Sequence, residues 1–99
     1  MDKARIYVDF NEMVDTNTVL LSKEDTKTDS LGYEIIFYEG MPVSIYQDDA
    51  TENGDPDCLF AEGIAVKRDL SNYPNWQHVK WCCLIDLGSL MHESDLRAL

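Results

Sequence analysis

The 99-residue chain carries 8 Lys+Arg against 19 Asp+Glu, a formal charge of −11, and 44% of it is hydrophobic. That length predicts one domain, residues 1–99, with a modest core that needs no staples. The charge argues against direct contact with nucleic acid or an anionic membrane, because no basic patch is present to release counterions; a basic protein partner, a cation or plain solubility all fit it.

In chain order, Ala4 to Phe10 alternates and predicts a strand with Ile6, Val8 and Phe10 on one face. Asn11 to Asn17 is polar and reads as a loop, and Thr18–Ser22 reads as a short strand. Lys23 to Gly32 predicts a long solvated excursion. Tyr33 to Tyr38 is β-rich and ends in a Glu39-Gly40 turn. The next strand, 42–47, alternates with Val43 and Ile45 on one side and Ser44 and Tyr46 on the other. Residues 48–57 are an acidic loop. Glu62-Gly63 repeats the Glu-Gly pattern, which predicts a second turn between 58–61 and a strand at 64–68.

Residues 69–75 read as a loop. Val79 to Asp86 is the strongest strand, with Val79, Trp81, Cys83 and Ile85 on the core face and Lys80, Cys82 and Leu84 opposite. Leu87-Gly88 predicts a turn, Leu90 to His92 resumes the strand, and Ser94 suits the N-cap of a last helical turn. No segment sustains a helical period. The predicted interior is Val43, Ile45, Ile64, Val66, Val79, Trp81, Cys83 and Ile85.

Five to seven short strands with almost no helix predict an all-β fold, a small antiparallel barrel or strongly bent sheet, since closure removes exposed edges. Tyr38-Glu39-Gly40-Met41-Pro42-Val43 resembles the turn-plus-strand of SH3-like small barrels. Trp81-Cys82-Cys83-Leu84-Ile85-Asp86, then Gly88, then His92-Glu93-Ser94-Asp95-Leu96, resembles their closing hairpin and final single-turn helix. The resemblance spans roughly residues 18–99, implies that fold and only weakly implies binding.

Three cysteines, Cys58, Cys82 and Cys83, make a poor disulfide framework and point to a reducing, cytoplasmic compartment. Met1 to Arg5 lacks the apolar run of a signal peptide, and no stretch reaches the ~18 apolar residues of a membrane span.

Four constellations bear on chemistry. Asp49, Thr51, Asn53, Gly54 and Asp57 approximate the start of a calcium loop, but its twelfth position is Phe60 in place of a bidentate Glu; a solvated hairpin turn is the simpler reading. Cys58, His78, Cys82, Cys83 and His92 include zinc-ligand types without a Cys-x-x-Cys pair, and core thiols explain them as well. The chain is thus expected to fold without a metal or other cofactor. Cys83 with a histidine, or Ser94 with His92, could begin a nucleophilic pair, yet no orienting third group or oxyanion element is legible, so no enzyme is predicted. The fourth is aromatic: Tyr46 faces outward, and Tyr73 and Trp76 sit in a loop where Trp76 either receives a ligand or caps the barrel.

These readings converge on a non-enzymatic, acidic protein-interaction module that binds a basic protein or peptide. Tyr46, Tyr73 and Trp76, with Asp48, Asp49 and Asp55, would form one face. The alternatives are an inhibitor or immunity-type protein of a basic enzyme, and a calcium- or zinc-dependent binding protein.

Overall fold

The computed structural model describes residues 3–97. The protein is all-β: one curled six-stranded sheet forms a half-barrel, a two-stranded sheet accompanies it, and one short helix ends the chain. The strands are β1 (Ile6–Tyr7), β2 (Met13–Asp15), β3 (Thr18–Ser22), β4 (Thr26–Thr28), β5 (Glu34–Ile36), β6 (Pro42–Gln47), β7 (Leu59–Lys67) and β8 (Trp81–His92), followed by α1 (Glu93–Arg97). The large sheet has the order β1-β6-β7-β8-β3-β2, and β4-β5 stands apart.

The sheet is mixed, where the sequence predicts antiparallel pairing throughout. β1 lies parallel to β6, with Ile6 beside Ile45 and Tyr7 beside Tyr46. Arg5 fixes that pairing. Its guanidinium is buried, donates to the carbonyls of Ile45 and Ala61 at 3.2 Å each, and sits 4.0 Å from the Phe60 ring centroid. Glu62 neutralises it at 3.4 Å, and Lys3 also bonds Glu62. A buried cation persists only when paired and fully hydrogen-bonded in this way.

The main core gathers Ile6, Val8, Val19, Leu21, Phe37, Val43, Ile45, Ala61, Ala65, Trp81, Cys83 and Ile85. Of the predicted interior, Val43, Ile45, Trp81, Cys83 and Ile85 are there. Ile64, Val66 and Val79 are half-buried, a correction that follows from Gly63. Glu62-Gly63 is no turn: β7 runs straight through it, pairing Gly63 with Val43 on one side and Ile85 on the other. A Cβ on Gly63 would lie 2.4 Å from the Leu84 carbonyl oxygen and 2.7 Å from Cys83 Sγ. Glycine is therefore needed for close approach inside a strand. Period-2 alternation then puts Ala61 and Ala65 inward and Ile64 and Val66 on the other face.

That other face is not all solvent. Leu20, Leu70 and Cys82 form a second buried cluster, with Val14, Val66, Trp76 and Val79 packed on it. Cys82 and Cys83 are both fully buried, on opposite faces of β8. Of the residues opposite the core face of β8, Cys82 is thus buried, as a core thiol, and Leu84 is exposed.

Leu87-Gly88 is likewise no turn. β8 pairs Asp86 with Glu62 and Met91 with Phe60, so the intervening residues bulge out and the strand rejoins the same neighbour. Ser89 replaces the missing ladder partner: its Oγ accepts from Glu62 N at 2.8 Å. The loop expected at 11–17 contains β2, and the excursion at 23–32 contains β4. Paired with β5, β4 covers the open side of the half-barrel, with Ile35 and Phe37 packed on the core. Lys27 straps it down, donating to the carbonyls of Tyr7 at 2.6 Å and Leu21 at 2.9 Å. Burial pushes the Lys27 pKa down.

Trp81 is 3% exposed, tilts against Phe37 at 5.8 Å and donates Nε1 to Asp25. Trp81→Ala is expected to cost about 3–5 kcal/mol in a denaturant melt. Gly63→Ala is expected to cost about 1–3 kcal/mol, because the obstacle is a backbone carbonyl that cannot swing aside. A Gly63→Ala protein as stable as the parent would refute the close approach of β7 and β8.

Candidate functional site

The acidic loop 48–57 joins the end of β6 to the start of β7. It is a tight hairpin: Ala50 bridges Pro56, Thr51 N donates to Asp55 O at 2.9 Å, and Gly54 turns the chain at a φ of 83°. Two acids anchor it. Asp57 is buried and accepts from Ser94 N at 2.8 Å and from Ser94 Oγ at 2.9 Å. Asp49 accepts from Ala50 N at 2.8 Å and lies 3.0 Å from His92 Nε2.

The helix cap differs from expectation as a result. Ser94 lies inside α1, and His92 stands at the N-cap, its backbone N–H held by Asp95 at 3.0 Å. Asp57 takes the Ser94 amide that a local capping side chain would have taken. The other carboxylates of the loop, Asp48, Glu52 and Asp55, are exposed, and no lysine or arginine among the described residues pairs with them.

Tyr46 stands where this loop begins. It is half-buried, because parallel β1 sets Tyr7 against it edge-on at 5.4 Å. Burial, with Asp48 nearby, pushes the Tyr46 pKa up. Tyr7, 43% exposed, belongs to this site although the sequence analysis did not place it there. Only the parallel pairing brings it in, and alternation within one strand carries no signal of that.

Tyr73 and Trp76 lie elsewhere. Their loop follows Lys67, the far end of β7, whereas the acidic loop precedes Leu59. Nine strand residues separate the two, roughly 26 Å at the rise of a strand. Trp76 stacks on Tyr73 at 5.8 Å and packs on the second cluster. It covers Leu20, Leu70 and Cys82, so it acts as a cap. The six predicted residues thus fall into two groups, Tyr46 with Asp48, Asp49 and Asp55 at one end, Tyr73 with Trp76 at the other. They do not share one face, because successive antiparallel strands place their connections at alternate ends.

Among the described residues no group of three His, Cys, Asp or Glu is arranged to hold an ion. Asp49 and Asp57, the calcium-loop candidates, are engaged by His92 and Ser94. Cys82 and Cys83 open onto different clusters. The nucleophile pairs separate too: Ser94 Oγ donates to Asp57 while His92 Nε2 faces Asp49. Burial pushes the Cys83 thiol up to about 12, and burial with Glu93 and Asp48 raises that of Cys58. Neither thiol is poised as a thiolate.

Compared with known families, curated proteins and solved structures, the chain matches none.

The structure also exposes Leu31, Tyr33, Ile36 and Tyr38; Tyr33 and Tyr38 belong to the aromatic set of the sequence, whereas Leu31 and Ile36 were not singled out there. The signal was available in β5, where Ile35 and Phe37 face the core and Glu34, Ile36 and Tyr38 alternate with them.

Two exposed aspartates give the fold an acid-sensitive limb. The Ala50 amide, then His92, holds Asp49 below the ordinary 3.8; Lys80, then Trp81, does so for Asp25. A depressed folded pKa stabilises above the unfolded value, and that stabilisation is lost as pH falls through the folded one. Melting temperature is therefore expected to drop below about pH 4, and to drop less steeply in the Asp25→Asn, Asp49→Asn double variant. Melts running parallel to the parent at every pH would refute these partners.

Proposed function

We propose that the chain is a non-enzymatic interaction module whose acidic end receives a basic protein or peptide. The observation that carries this is the anchored loop itself. Asp49 and Asp57 tie it to His92 and Ser94, and Asp48, Glu52 and Asp55 project from it without a cationic partner among the described residues. A fixed cluster of unpaired carboxylates on a chain of charge −11 attracts cations strongly and rejects acidic competitors. Tyr7 and Tyr46 add aromatic surface beside Asp48, suited to an arginine or lysine side chain. Tyr73 and Trp76 drop out of this face.

The SH3-like likeness belongs to the same proposal. Strands 42–47, 59–67 and 81–92 with a final one-turn helix support it, although the closing hairpin that the resemblance implies is one continuous strand, β8. Among the described residues no helix is long and apolar enough to cross a membrane. Three free cysteines, two of them buried, support a cytoplasmic setting. An inhibitor of a basic enzyme is the narrower form of this reading and uses the same electrostatics.

The test begins with capture of partners at low and moderate salt, followed by binding kinetics on the captured protein. Asp48→Asn with Asp55→Asn is expected to slow association and flatten its salt dependence while dissociation stays nearly unchanged. These two acids are chosen because neither pairs with a cation among the described residues, Asp48 meeting only Cys58 Sγ at 3.9 Å. Tyr46→Ala is expected to speed dissociation. A partner bound equally fast by the Asp48, Asp55 variant would overturn the acidic end as the receiving surface.

A further inference from the structure

Among the described residues the most exposed large apolar side chains are Leu31, Tyr33, Ile36 and Tyr38, each between 60% and 68% exposed, within eight consecutive residues. Ile36 lies on β5, and Leu31, Tyr33 and Tyr38 flank it. Their concentration in one short segment is unlike the scattered apolar exposure of an ordinary surface.

β5 pairs only with β4. Thr26 lies opposite Ile36, Lys27 opposite Ile35 and Thr28 opposite Glu34. Phe37 N donates to Asp25 O, and Asp29 N donates to Tyr33 O, each at 2.9 Å. Antiparallel ladders alternate bonded and non-bonded pairs, so residues 33, 35 and 37 turn their amides toward β4. Glu34 and Ile36 therefore turn theirs away, onto an edge that pairs with no strand among the described residues. The same two residues, with Tyr38, present side chains outward. A groove of about 200 Å³ involves the strand on its inner side, lined by Ile6, Ile35, Met41, Pro42, Val43 and Ser44.

An unpaired edge with exposed apolar side chains is a template for strand addition, and proteins ordinarily blunt such edges. No proline or lysine stands within residues 34–36, and the edge is blunted only by its three-residue length and by Glu34. We propose that β5 accepts a third strand from an extended, basic segment of another protein. The proposal rests on the basic-partner reading above and adds a second contact to it. Charge chooses the occupant. Glu34 projects from the centre of the edge and has no cationic partner among the described residues. Asp29 and Glu39 lie at its two ends in sequence, whereas Asp25 is already paired with Lys80. A second copy would bring another chain of charge −11 to the same place, whereas a lysine- or arginine-bearing strand meets complementary charge. Main-chain bonds would supply affinity, and alternate side chains over Glu34 and Ile36 would supply selectivity.

The probe is an octapeptide alternating lysine and valine, with its glutamate–valine counterpart as control, followed by amide NMR and hydrogen exchange on the full chain. In the free protein the amides of Glu34 and Ile36 are expected to exchange rapidly. At millimolar basic peptide they are expected to slow roughly tenfold, while the acidic peptide leaves them unchanged. Ile36→Pro removes only an outward N–H and should abolish the effect; Ile36→Thr keeps that N–H and should weaken it. Glu34→Lys should reverse the preference between the two peptides. Asp48→Asn with Asp55→Asn should leave protection at β5 in place.

Amides of Glu34 and Ile36 already protected in the free protein would overturn the proposal, as would a concentration-dependent dimer that covers them. Shifts confined to residues 46–57 would overturn it while sustaining the acidic end as a receptor. No response to the basic peptide anywhere would count against both.

Discussion

The close approach of β7 and β8 at Gly63 is the constraint on which the rest of the structure depends. A backbone carbonyl stands where a side chain would begin, so the two strands can cross tightly and the sheet can curl. The inward residues beside Gly63 are Ala61 and Ala65, which leave volume for Trp81, Ile85, Ile45 and Phe37. Small residues on one strand and large ones on its neighbours make a dense core from few elements. The curled sheet does not close. Its open side is covered by the hairpin of β4 and β5, strapped by Lys27 and by Ser30, whose amide donates to Arg5 O at 2.7 Å.

Local pattern made some of this legible. Thr18–Ser22 and Pro42–Gln47 match their strands residue for residue: the first is a short apolar run and the second an alternating one, each bounded by polar or glycine-containing segments. The Glu39-Gly40 turn is present, with φ at Gly40 of 82°. Gly63 and Gly88 defeated the same logic. A glycine in a β-rich run signals a turn, a bulge or a close approach, and sequence alone does not separate them. Here one is a close approach and the other belongs to a bulge. The parallel pairing of β1 was illegible for a different reason: buried Arg5 and its distant carbonyl partners specify it, and neither leaves a periodic trace.

The candidate site divides along the same line. That residues 48–57 form an exposed acidic hairpin follows from composition and an Asn-Gly turn. Which acids are free does not, because His92 and Ser94, more than thirty residues away, select Asp49 and Asp57. Trp76 was ambiguous between receptor and cap until the second cluster, centred on Cys82, gave its ring something to cover. The far ends of β7 thus carry unlike tasks, packing at Lys67 and charge presentation at Leu59.

The two adjacent cysteines of β8 have one more consequence. Cys82 is sealed by Leu20, by Val14 and Val66 of the sheet, and by Leu70, Trp76 and Val79 of the loop, whereas Cys83 is sealed by the half-barrel itself. Lifting the loop at 69–79 would bare the first thiol and leave the second covered. Exposing Cys83 requires the principal sheet to part from its hairpin cover. Thiol-modification rates at neighbouring positions therefore distinguish partial opening from global unfolding, a native pair of reporters one residue apart.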